Sequence, residues 1–385
     1  MKLPQLENFD FKEKKVLVRC DLDVPIENRQ VTDETRLKEC LPTINYLLER
    51  GAKVILMGHL GRPGGKVVEE LRLAPVAQKF TDLLNAKLKA QSRVQREQNS
   101  KLSPPRRDPA VAGQLKIENF RKNFSAYQIN ENIVLLENLR FDPREEGNDL
   151  GFAKELASLG DFYVNEAFAA SHREHSSIVG VPKFLPHSVG LHFASEVENL
   201  SKVIENPKRP VVVVIGGAKP ETKVKYVENF AKIADSVLVG GLLAKSEELK
   251  AKNQKAFSEE FLRNIKLKTI ITADLLENGL DINNESIKKF VDIIRSAGTV
   301  VWNGPMGKYE NDPPGGEAGK WEKGTREIAK AVAECRGYKV VGGGDTIAAL
   351  KKFRLLDKID YVSTGGGAML EFLAKGTLPG IKALL

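Results

Sequence analysis

The stretch YKVVGGGDTIAALKKF, residues 338–353, decides the fold class of this chain. An apolar run typical of a buried strand ends in three glycines, and apolar residues at helical spacing follow them. The stretch YVSTGGGAML, residues 361–370, repeats the arrangement. This alternation of buried strands and helices is typical of an α/β fold with a parallel sheet.

Three further apolar runs in the second half also end in glycines. They read RPVVVVIGGAK at 209–219, SVLVGGLLAK at 236–245 and GTVVWNGPMG at 298–307. In an open parallel sheet, ligands bind at the carboxyl ends of the strands. Glycine there lets the backbone approach a ligand, and the next helix N-terminus favours a phosphate. Any one of these turns could be a tight connection, but five in one half favour a nucleotide-binding domain.

The first half shows the same alternation with different strand ends. Apolar runs at 14–25, 52–63, 132–143 and 161–177 predict strands. The stretches 33–51, 73–85 and 151–160 predict helices, and Pro42 leaves the early part of the first helix open. Charged and histidine side chains stand at or just after the strand ends: Arg19, Asp21, Asp23, Arg36, His59, Arg62, Arg140, His172, Arg173 and His175.

Arginines at several strand ends indicate a cup for a small, multiply charged anion, because guanidinium binds carboxylate and phosphate in bidentate fashion. For any single arginine, a surface salt bridge is the stronger interpretation. Lys219 and Lys223 lie four apart at a helix start and could reach phosphates or lie on a solvated face. Asp345 suits an N-cap or a Mg²⁺ ligand, and the two interpretations are compatible.

Chain length and composition limit the number of domains and the class of the protein. A chain of 385 residues, 42% of them hydrophobic, can form two domain cores. No apolar run approaches the roughly 18 residues that span a membrane, and the first residues lack the apolar core of a signal peptide. The three cysteines are widely spaced and form no metal or disulfide pattern, so we expect a cytoplasmic protein with reduced thiols.

The formal net charge of +8 fits nucleic acid, small phosphorylated anions or a merely solvated surface. The polar, basic, proline-rich stretch 91–114 predicts an exposed loop, and its few aromatic residues argue against nucleic-acid binding. P-loop, protein-kinase and dinucleotide-binding signatures do not occur in the sequence. The residues alone therefore favour a two-domain enzyme that transfers a phosphoryl group between a nucleotide domain and an anion domain.

Nine motifs carry a resemblance to a known family. In order they are CDLDVP, TDETRL, GHLGRP, LLENLRF, NEAFAASHREHSS, IGGAK, VWNGPMG, GGGDTIAAL and STGGGA. Their order and spacing resemble the phosphoglycerate kinase family over nearly the whole chain. The resemblance implies reversible phosphoryl transfer between 1,3-bisphosphoglycerate and ADP, giving 3-phosphoglycerate and ATP, with Mg²⁺ on the nucleotide. It also favours a monomer and no nucleic-acid or membrane partner.

The resemblance implies two Rossmann-like, doubly wound parallel-sheet domains that face each other across a cleft. The expected bounds are 1–185 for a phosphoglycerate-binding domain, 186–203 for a connecting helix and 204–367 for a nucleotide-binding domain. A tail from about 368 to 385 would return to the first domain.

The motif match also implies roles for individual residues. Arg36, Lys219 and Lys223 would neutralise charge on the transferring group, and Asp345 would hold Mg²⁺. Phosphoglycerate would be bound by Asp21, Asp23, Arg36, His59, Arg62, Arg140 and Arg173. The nucleotide would be bound by Gly216, Gly217, Lys219, Gly240, Gly241, Asn303, Glu310, Gly342, Gly343, Gly344, Asp345, Thr346, Gly365, Gly366 and Gly367.

Five positions and one stretch depart from the family pattern. Asp23 stands for Asn, Gly58 for Ser, Glu166 for Asp, Leu242 for Gly and Pro220 for Val, and 91–114 has no counterpart. The alternative function is a catalytically impaired phosphoglycerate kinase-like protein that binds nucleotide. Asp23 and Leu242 weakly favour that alternative, and the intact set of Arg36, Lys219, Lys223 and Asp345 argues against it.

Overall fold

The computed structural model describes residues 2–98, 117–121, 124–217, 220–245, 270–309 and 321–385. The chain divides into two compact units, Met1–Ser195 with Pro379–Leu385, and Glu196–Leu378. The division falls within one helix, Leu191–Ile204. None of the helices in the described ranges has both the length and the apolar character needed to cross a bilayer.

The first unit is built on a mixed sheet, which has seven strands within the described ranges. The strand order is β5-β6-β7-β4-β1-β8-β9, in which β7, β4, β1, β8 and β9 run parallel and β5 and β6 form an antiparallel edge. A short antiparallel pair, β2 with β3, lies outside this sheet. The bounds are β1 Lys15–Arg19, β2 Ile26–Glu27, β3 Gln30–Val31, β4 Lys53–Met57, β5 Ile117–Arg121, β6 Phe124–Asn130, β7 Ile133–Leu136, β8 Phe162–Asn165 and β9 His187–Val189.

Helices follow the parallel strands of the first unit and cover a core of buried aliphatic and aromatic side chains. Helix α1 continues through Pro42, which removes one intrahelical bond, and it buries Leu37, Ile44 and Leu47 against the sheet. The helices that begin in this unit are α1 Thr35–Glu49, α2 Ala74–Gln98, α3 Pro143–Glu146, α4 Leu150–Ala157 and α5 Leu191–Ile204, and α11 Pro379–Lys382 belongs to it as well.

The second unit is built on a parallel sheet whose six described strands follow the order β12-β11-β10-β13-β14-β15. The first strand of this unit, β10, lies at the centre, so the order is that of a doubly wound sheet with its switch point between β10 and β13. The strands are β10 Val211–Ile215, β11 Ser236–Val239, β12 Ile270–Thr272, β13 Thr299–Asn303, β14 Tyr338–Gly342 and β15 Tyr361–Ser363. The helices are α6 Pro220–Ala231, α7 Asn284–Arg295, α8 Lys323–Glu334, α9 Gly344–Lys352 and α10 Gly367–Lys375.

The predicted fold class, α/β with two doubly wound sheets, is confirmed. The five runs that end in glycine are β10, β11, β13, β14 and β15. Every side chain of β10 and β13 is buried, as continuous apolar runs at the centre of a parallel sheet require, while the first residues of β11, β14 and β15 are half-buried. Trp302 of β13 is fully buried, and its indole N–H donates to the carbonyl of Gly304 at 2.9 Å.

Three local expectations differ from the structure. Residues 91–98 continue helix α2 instead of forming a loop, because no proline or glycine interrupts the chain between Pro75 and Pro104. Residues 99–114 of the expected loop lie outside the described residues. Residues 187–189 form strand β9 rather than the start of the connecting helix, because they pair with the edge of β8. The segment that returns to the first unit begins at Pro379, later than the expected 368.

Candidate functional site

A lysine lies at the switch point of the second sheet. Lys223, in the first turn of α6, donates from Nζ to the carbonyl of Gly216 at 2.7 Å and to Asn303 Oδ1 at 2.8 Å. Because ammonium can only donate, the Asn303 amide presents its oxygen to Lys223 and its nitrogen to the carbonyl of Gly342, at 2.9 Å. Asn303 therefore ties together the ends of β10, β13 and β14.

The ammonium group of Lys223 has no hydrogen bond to a carboxylate among the described residues. Burial lowers the pKa of Lys223 to about 8, and the negative charge of Asp345 opposes this shift. A half-buried cation that is held by neutral oxygens is poorly compensated, so a phosphate beside it would raise the pKa of Lys223 back towards its usual value. The position suits binding of a polyanion at the crevice where open α/β sheets take their ligands.

Glycines at three of the strand ends serve packing. A Cβ on Gly216 would lie 2.2 Å from the carbonyl oxygen of Pro305, and one on Gly304 would lie 2.1 Å from that of Gly216. A Cβ on Gly240 would lie 2.5 Å from the sulfur of Met306. Gly217 and Gly241 have φ of 114° and 61°. The backbones at the ends of β10, β11 and β13 can approach one another only without side chains.

Three glycines at the other two strand ends border open space, whereas a Cβ on Gly342 would lie 2.2 Å from the sulfur of Met369. A Cβ on Gly344, Gly366 or Gly367 would meet no atom within 4 Å. Gly344 and Gly367 begin helices α9 and α10, and neither has a positive φ that would require glycine. The first turns of both helices present N–H groups to this space, which has room for a bound group.

Asp345 lies exposed in the first turn of α9, and the N-cap of that helix is Gly343, with φ of 96°. The capping interpretation of Asp345 is therefore wrong, and its carboxylate is available as a hard oxygen ligand for Mg²⁺. The described residues hold no group of three acidic, histidine or cysteine side chains close enough to bind a metal. A single carboxylate fits a metal that takes its other ligands from phosphates and water.

The remaining residues that were predicted to bind the nucleotide differ in accessibility. Thr346 is buried, and its Oγ1 accepts a hydrogen bond from Gly304 N at 2.6 Å, so it joins α9 to the end of β13. Gly365 is buried, and its N–H lies 3.2 Å from Ser363 Oγ. Lys219 and Glu310 lie outside the described residues.

The acidic side of the predicted anion cup is formed by the loop after β1. Asp21 is buried, and its Oδ2 accepts a hydrogen bond from Ala169 N at 2.8 Å. Burial raises its pKa, and the charges of Arg36 and Arg19 oppose that shift. Asp23 is exposed, and its Oδ1 accepts from Gly61 N at 2.9 Å. Arg36 donates from Nη1 to the carbonyl of Asp23 at 2.6 Å, so it joins this loop to α1.

The basic side of the cup contains a buried arginine with spare donors. Arg140 is 2% exposed; Nη1 donates to the carbonyl of Gly61 at 2.7 Å and Nε lies 3.1 Å from Glu146 Oε1. Its Nη2 is buried without a hydrogen-bond partner among the described residues. Burial lowers the pKa of Arg140 to about 10, and the nearby Arg173 contributes to the shift. A buried donor without an acceptor fits a bound anion.

The other basic residues lie at different depths. His59 is buried, and its pKa is held well below the usual value by burial, by Arg19 and by Arg140. Arg173 is half-buried, and its charge acts on both His59 and Arg140. Arg62 is exposed on the loop after β4, without a hydrogen bond or ion pair to the other cup residues in the described ranges. The structure thus brings Arg140, Arg173 and His59 together and leaves Arg62 to one side.

A family model for phosphoglycerate kinase matches residues 6–274 and 247–376, which together cover most of the chain. The chain belongs to the phosphoglycerate kinase family. It is a phosphotransferase with a carboxyl group as acceptor, and it acts in glycolysis, as the motif resemblance predicted.

Relatives and solved structures agree over the full length. The phosphoglycerate kinases of Roseiflexus castenholzii and Moorella thermoacetica are 40% and 38% identical, each over 98% of both chains. The structure of phosphoglycerate kinase from Coxiella burnetii has a TM-score of 0.75 at 32% identity and covers 100% of this chain and 99% of its own. That from Pyrococcus horikoshii OT3 has a TM-score of 0.72 at 30% identity, over 99% and 98%. A catalytically impaired relative is not favoured.

Two departures from the family pattern have a local explanation. A Cβ on Gly58 would lie 2.5 Å from Leu22 Cδ1 and 2.9 Å from the carbonyl of Cys20, so the serine of the pattern would require Leu22 to move. Leu242 projects outward at the short turn after β11, where it is 41% exposed, while Leu243 fills the interior. The turn after β11 therefore presents an apolar surface where the pattern has glycine.

Glu166, the third departure, accepts hydrogen bonds from N–H groups at the start of helix α5. Its Oε1 accepts from Thr43 Oγ1 at 2.6 Å and from His192 N at 3.2 Å, and its Oε2 accepts from Phe193 N at 3.2 Å. A Cβ on Gly190 would lie 2.0 Å from Oε2, so the longer carboxylate occupies space that glycine leaves. Burial raises the pKa of Glu166 to about 8.

Sequence reasoning placed Arg19 at a strand end but gave it no role, and it missed Ser177 and Glu145. Arg19 is fully buried, with hydrogen bonds to Ser177 Oγ at 2.8 Å and His59 Nδ1 at 2.9 Å. The available signal was a charged residue inside the apolar run VLVRC, because a buried arginine needs several acceptors.

Proposed function

We propose that the first unit binds the phosphoglycerate substrate and the second binds the magnesium nucleotide, so that this chain carries out the phosphoglycerate kinase reaction. The observation that carries the assignment is Lys223, a half-buried cation held at the switch point of the parallel sheet by the carbonyl of Gly216 and by Asn303. We assign the first role to Met1–Ser195 with Pro379–Leu385 and the second to Glu196–Leu378, in place of the bounds expected from the sequence.

At the phosphoglycerate end, Arg140 supports the proposal most directly, because its buried Nη2 has no partner in the described part of the chain. We assign the substrate phosphate and carboxylate to guanidinium and imidazole donors, since both ligand groups are planar or tetrahedral arrays of acceptors. The proposed binding residues are Asp21, Asp23, Arg36, His59, Arg62, Arg140 and Arg173.

At the nucleotide end, the open space beside Gly344 and Gly367 suits phosphates at the starts of α9 and α10. Lys219 and Lys223 would contact the phosphates, and Asp345 would hold Mg²⁺. When bound, that ion would supply charge neutralisation to the phosphates. The other proposed contacts are Gly216, Gly217, Gly240, Gly241, Asn303, Glu310, Gly342, Gly343, Thr346, Gly365 and Gly366.

Phosphoryl transfer requires positioning and stabilisation of charge more than covalent help from the protein. Lys223 can turn from the carbonyl of Gly216 to an incoming phosphate, because it exchanges a neutral acceptor for a charged one. Arg36 is held by the carbonyl of Asp23 through Nη1, which leaves its other nitrogens to neutralise the moving group. The acyl phosphate must also be kept from water, since hydrolysis competes with transfer.

The direct test is formation of ATP from 1,3-bisphosphoglycerate and ADP by the purified chain, followed with a coupled assay. We expect turnover that requires Mg²⁺. A folded chain that binds ATP and forms none would instead support the impaired, nucleotide-binding alternative.

Asp345→Asn is expected to weaken Mg-ATP binding by about tenfold or more, because an amide is a poorer ligand for a hard cation than a carboxylate. Binding of 3-phosphoglycerate should not change. Calorimetry with and without Mg²⁺ measures the effect, and the exposed Asp357→Asn is the matched control. Equal weakening of both ligands, or an equal effect without Mg²⁺, would contradict the assignment.

Asp23→Asn is expected to lower KM for 3-phosphoglycerate by about tenfold, because one added hydrogen bond to a charged group is worth about 1.5–3 kcal/mol. The asparagine oxygen can keep the bond to Gly61 N while its nitrogen replaces a carboxylate oxygen that repels the substrate. KM for ATP is the internal control. An unchanged or higher KM for 3-phosphoglycerate would show that Asp23 does not face the substrate.

We further propose a cytoplasmic monomer that does not bind nucleic acid. The proposal rests on the family match, and attraction of phosphorylated substrates accounts for the formal net charge of +8. Sedimentation at several concentrations tests the monomer. Retention of DNA or RNA at physiological salt would overturn the last part.

A further inference from the structure

Arg19, at the end of β1, is fully buried. Each of its three guanidinium nitrogens forms a hydrogen bond to a different acceptor. Nε donates to Ser177 Oγ at 2.8 Å, Nη1 to the carbonyl of Cys20 at 2.5 Å, and Nη2 lies 2.9 Å from His59 Nδ1. The proposed reaction gives Arg19 no role as a ligand. Its contacts raise the question of what it does to His59.

The chemistry of the two groups fixes the proton on His59. A guanidinium group only donates, so Nδ1 of His59 must be the acceptor in the pair. A neutral imidazole with Nδ1 unprotonated carries its hydrogen on Nε2. His59 therefore presents an N–H donor from Nε2, and no hydrogen bond of Nε2 occurs within the described residues.

A second layer holds Arg19 in place. Ser177 Oγ accepts from Arg19 Nε and donates to Glu145 Oε1 at 2.5 Å, while Ser177 N donates to Glu145 Oε2 at 2.9 Å. Tyr163 OH donates to the carbonyl of Ser177 at 2.8 Å. The carboxylate of Glu145 is fully buried, and the hydroxyl of Ser177 links it to Arg19 through two successive hydrogen bonds.

We propose that Arg19, held by Ser177 and Glu145, is a positioning residue that fixes His59 as a neutral Nε2–H donor to an oxygen of the phosphoglycerate substrate. The ligand in this inference rests on the proposed function, whereas the tautomer does not. The charged groups that face His59 are Arg19, Arg140, Arg173 and, when protonated, His175. Among these cations a second ring proton is costly, so the tautomer and not protonation supplies the donor.

Nuclear magnetic resonance of isotope-labelled histidine tests the tautomer directly. The chain has five histidines, so His59→Gln assigns the resonances. We expect wild-type His59 to show a bare Nδ1 and a protonated Nε2, with no change between about pH 6 and pH 8. A proton on Nδ1, or a doubly protonated ring at about pH 7, would overturn the inference. The tautomer is read from the wild-type chain, and His59→Gln serves only to assign its resonances.

Ser177→Ala tests the positioning. The variant should give mixed tautomers of His59 and raise KM for 3-phosphoglycerate by about tenfold, with kcat and KM for ATP little changed. Circular dichroism and the remaining histidine resonances report folding. Unchanged tautomer and unchanged KM would refute the role of Ser177 and Arg19.

A matched pair of substitutions at His59 adds a test that does not depend on Ser177. The amide nitrogen of glutamine reaches the place of Nε2, while that of asparagine reaches the place of Nδ1. His59→Gln should therefore keep a lower KM for 3-phosphoglycerate than His59→Asn, and the reverse order would contradict the proposal. A wild-type chain that has the Nε2–H tautomer but forms no ATP would refute the proposed function and leave the tautomer standing.

Discussion

Lys223→Ala is expected to lower kcat by about 100-fold or more, the scale of removing one group that stabilises transition-state charge. Its ammonium lies at the switch point of the sheet and is held by two neutral oxygens that a phosphate can replace. KM for 3-phosphoglycerate should change little, because that ligand is assigned to the first unit. Steady-state kinetics in both directions of the reaction measure the effect.

Lys225→Ala provides the matched control for Lys223. Lys225 lies on the same helix, is exposed, and places its Nζ 4.9 Å from the ring centre of Tyr226. It carries the same charge, but no hydrogen bond joins it to the strand ends within the described residues. A kcat for folded Lys223→Ala within a few-fold of the Lys225→Ala value would remove Lys223 from the catalytic set.

Arg36→Ala is expected to lower kcat by a similar factor, about 100-fold or more. Arg36→Lys should recover little of this loss, because an ammonium cannot bond the carbonyl of Asp23 and bind a phosphoryl group through the same planar fork. Rapid-quench measurement of a single turnover separates transfer from product release.

Lys38→Ala is the control for Arg36. Lys38 lies two residues further along α1, is exposed and pairs with Glu34 at the helix surface. An exposed pair of this kind contributes little, so kcat should remain near the wild-type value. If Arg36→Lys is as active as wild type, the guanidinium geometry is not what the reaction requires.

Nine parallel strands, which exclude β9 and β12, could be predicted from the sequence because each is a short apolar run that ends at a glycine or a charged residue. The edge strands β5 and β6 could not, because residues such as Glu118, Asn119 and Gln128 give them no apolar alternation. Their pairing depends on the edge of β7, which is a tertiary partner. Strand β9 was missed for the same reason, since three residues beside a helix carry too weak a pattern.

The site residues could be predicted by type but not by contact. Position at a strand end identified Arg140, and position at a helix start identified Lys223. Nothing in the sequence shows that Nη2 of Arg140 is buried without a partner among the described residues, or that Lys223 bonds Asn303. Glycine gave the same signal at Gly216, where packing requires it, and at Gly344, where open space lies beside it. Only coordinates separate those two uses of one residue type.

Glu166 and Gly190 limit how this chain can diverge. Because Oε2 of Glu166 occupies the place of a Cβ on Gly190, the two positions must change together. A return to the aspartate of the family pattern would withdraw the carboxylate and open room for alanine or serine at 190, whereas alanine at 190 beside glutamate would force the carboxylate from the start of α5. Related chains should therefore show glutamate at the first position only with glycine at the second. The pair can be recognised as a covarying signature in sequences that have no structure.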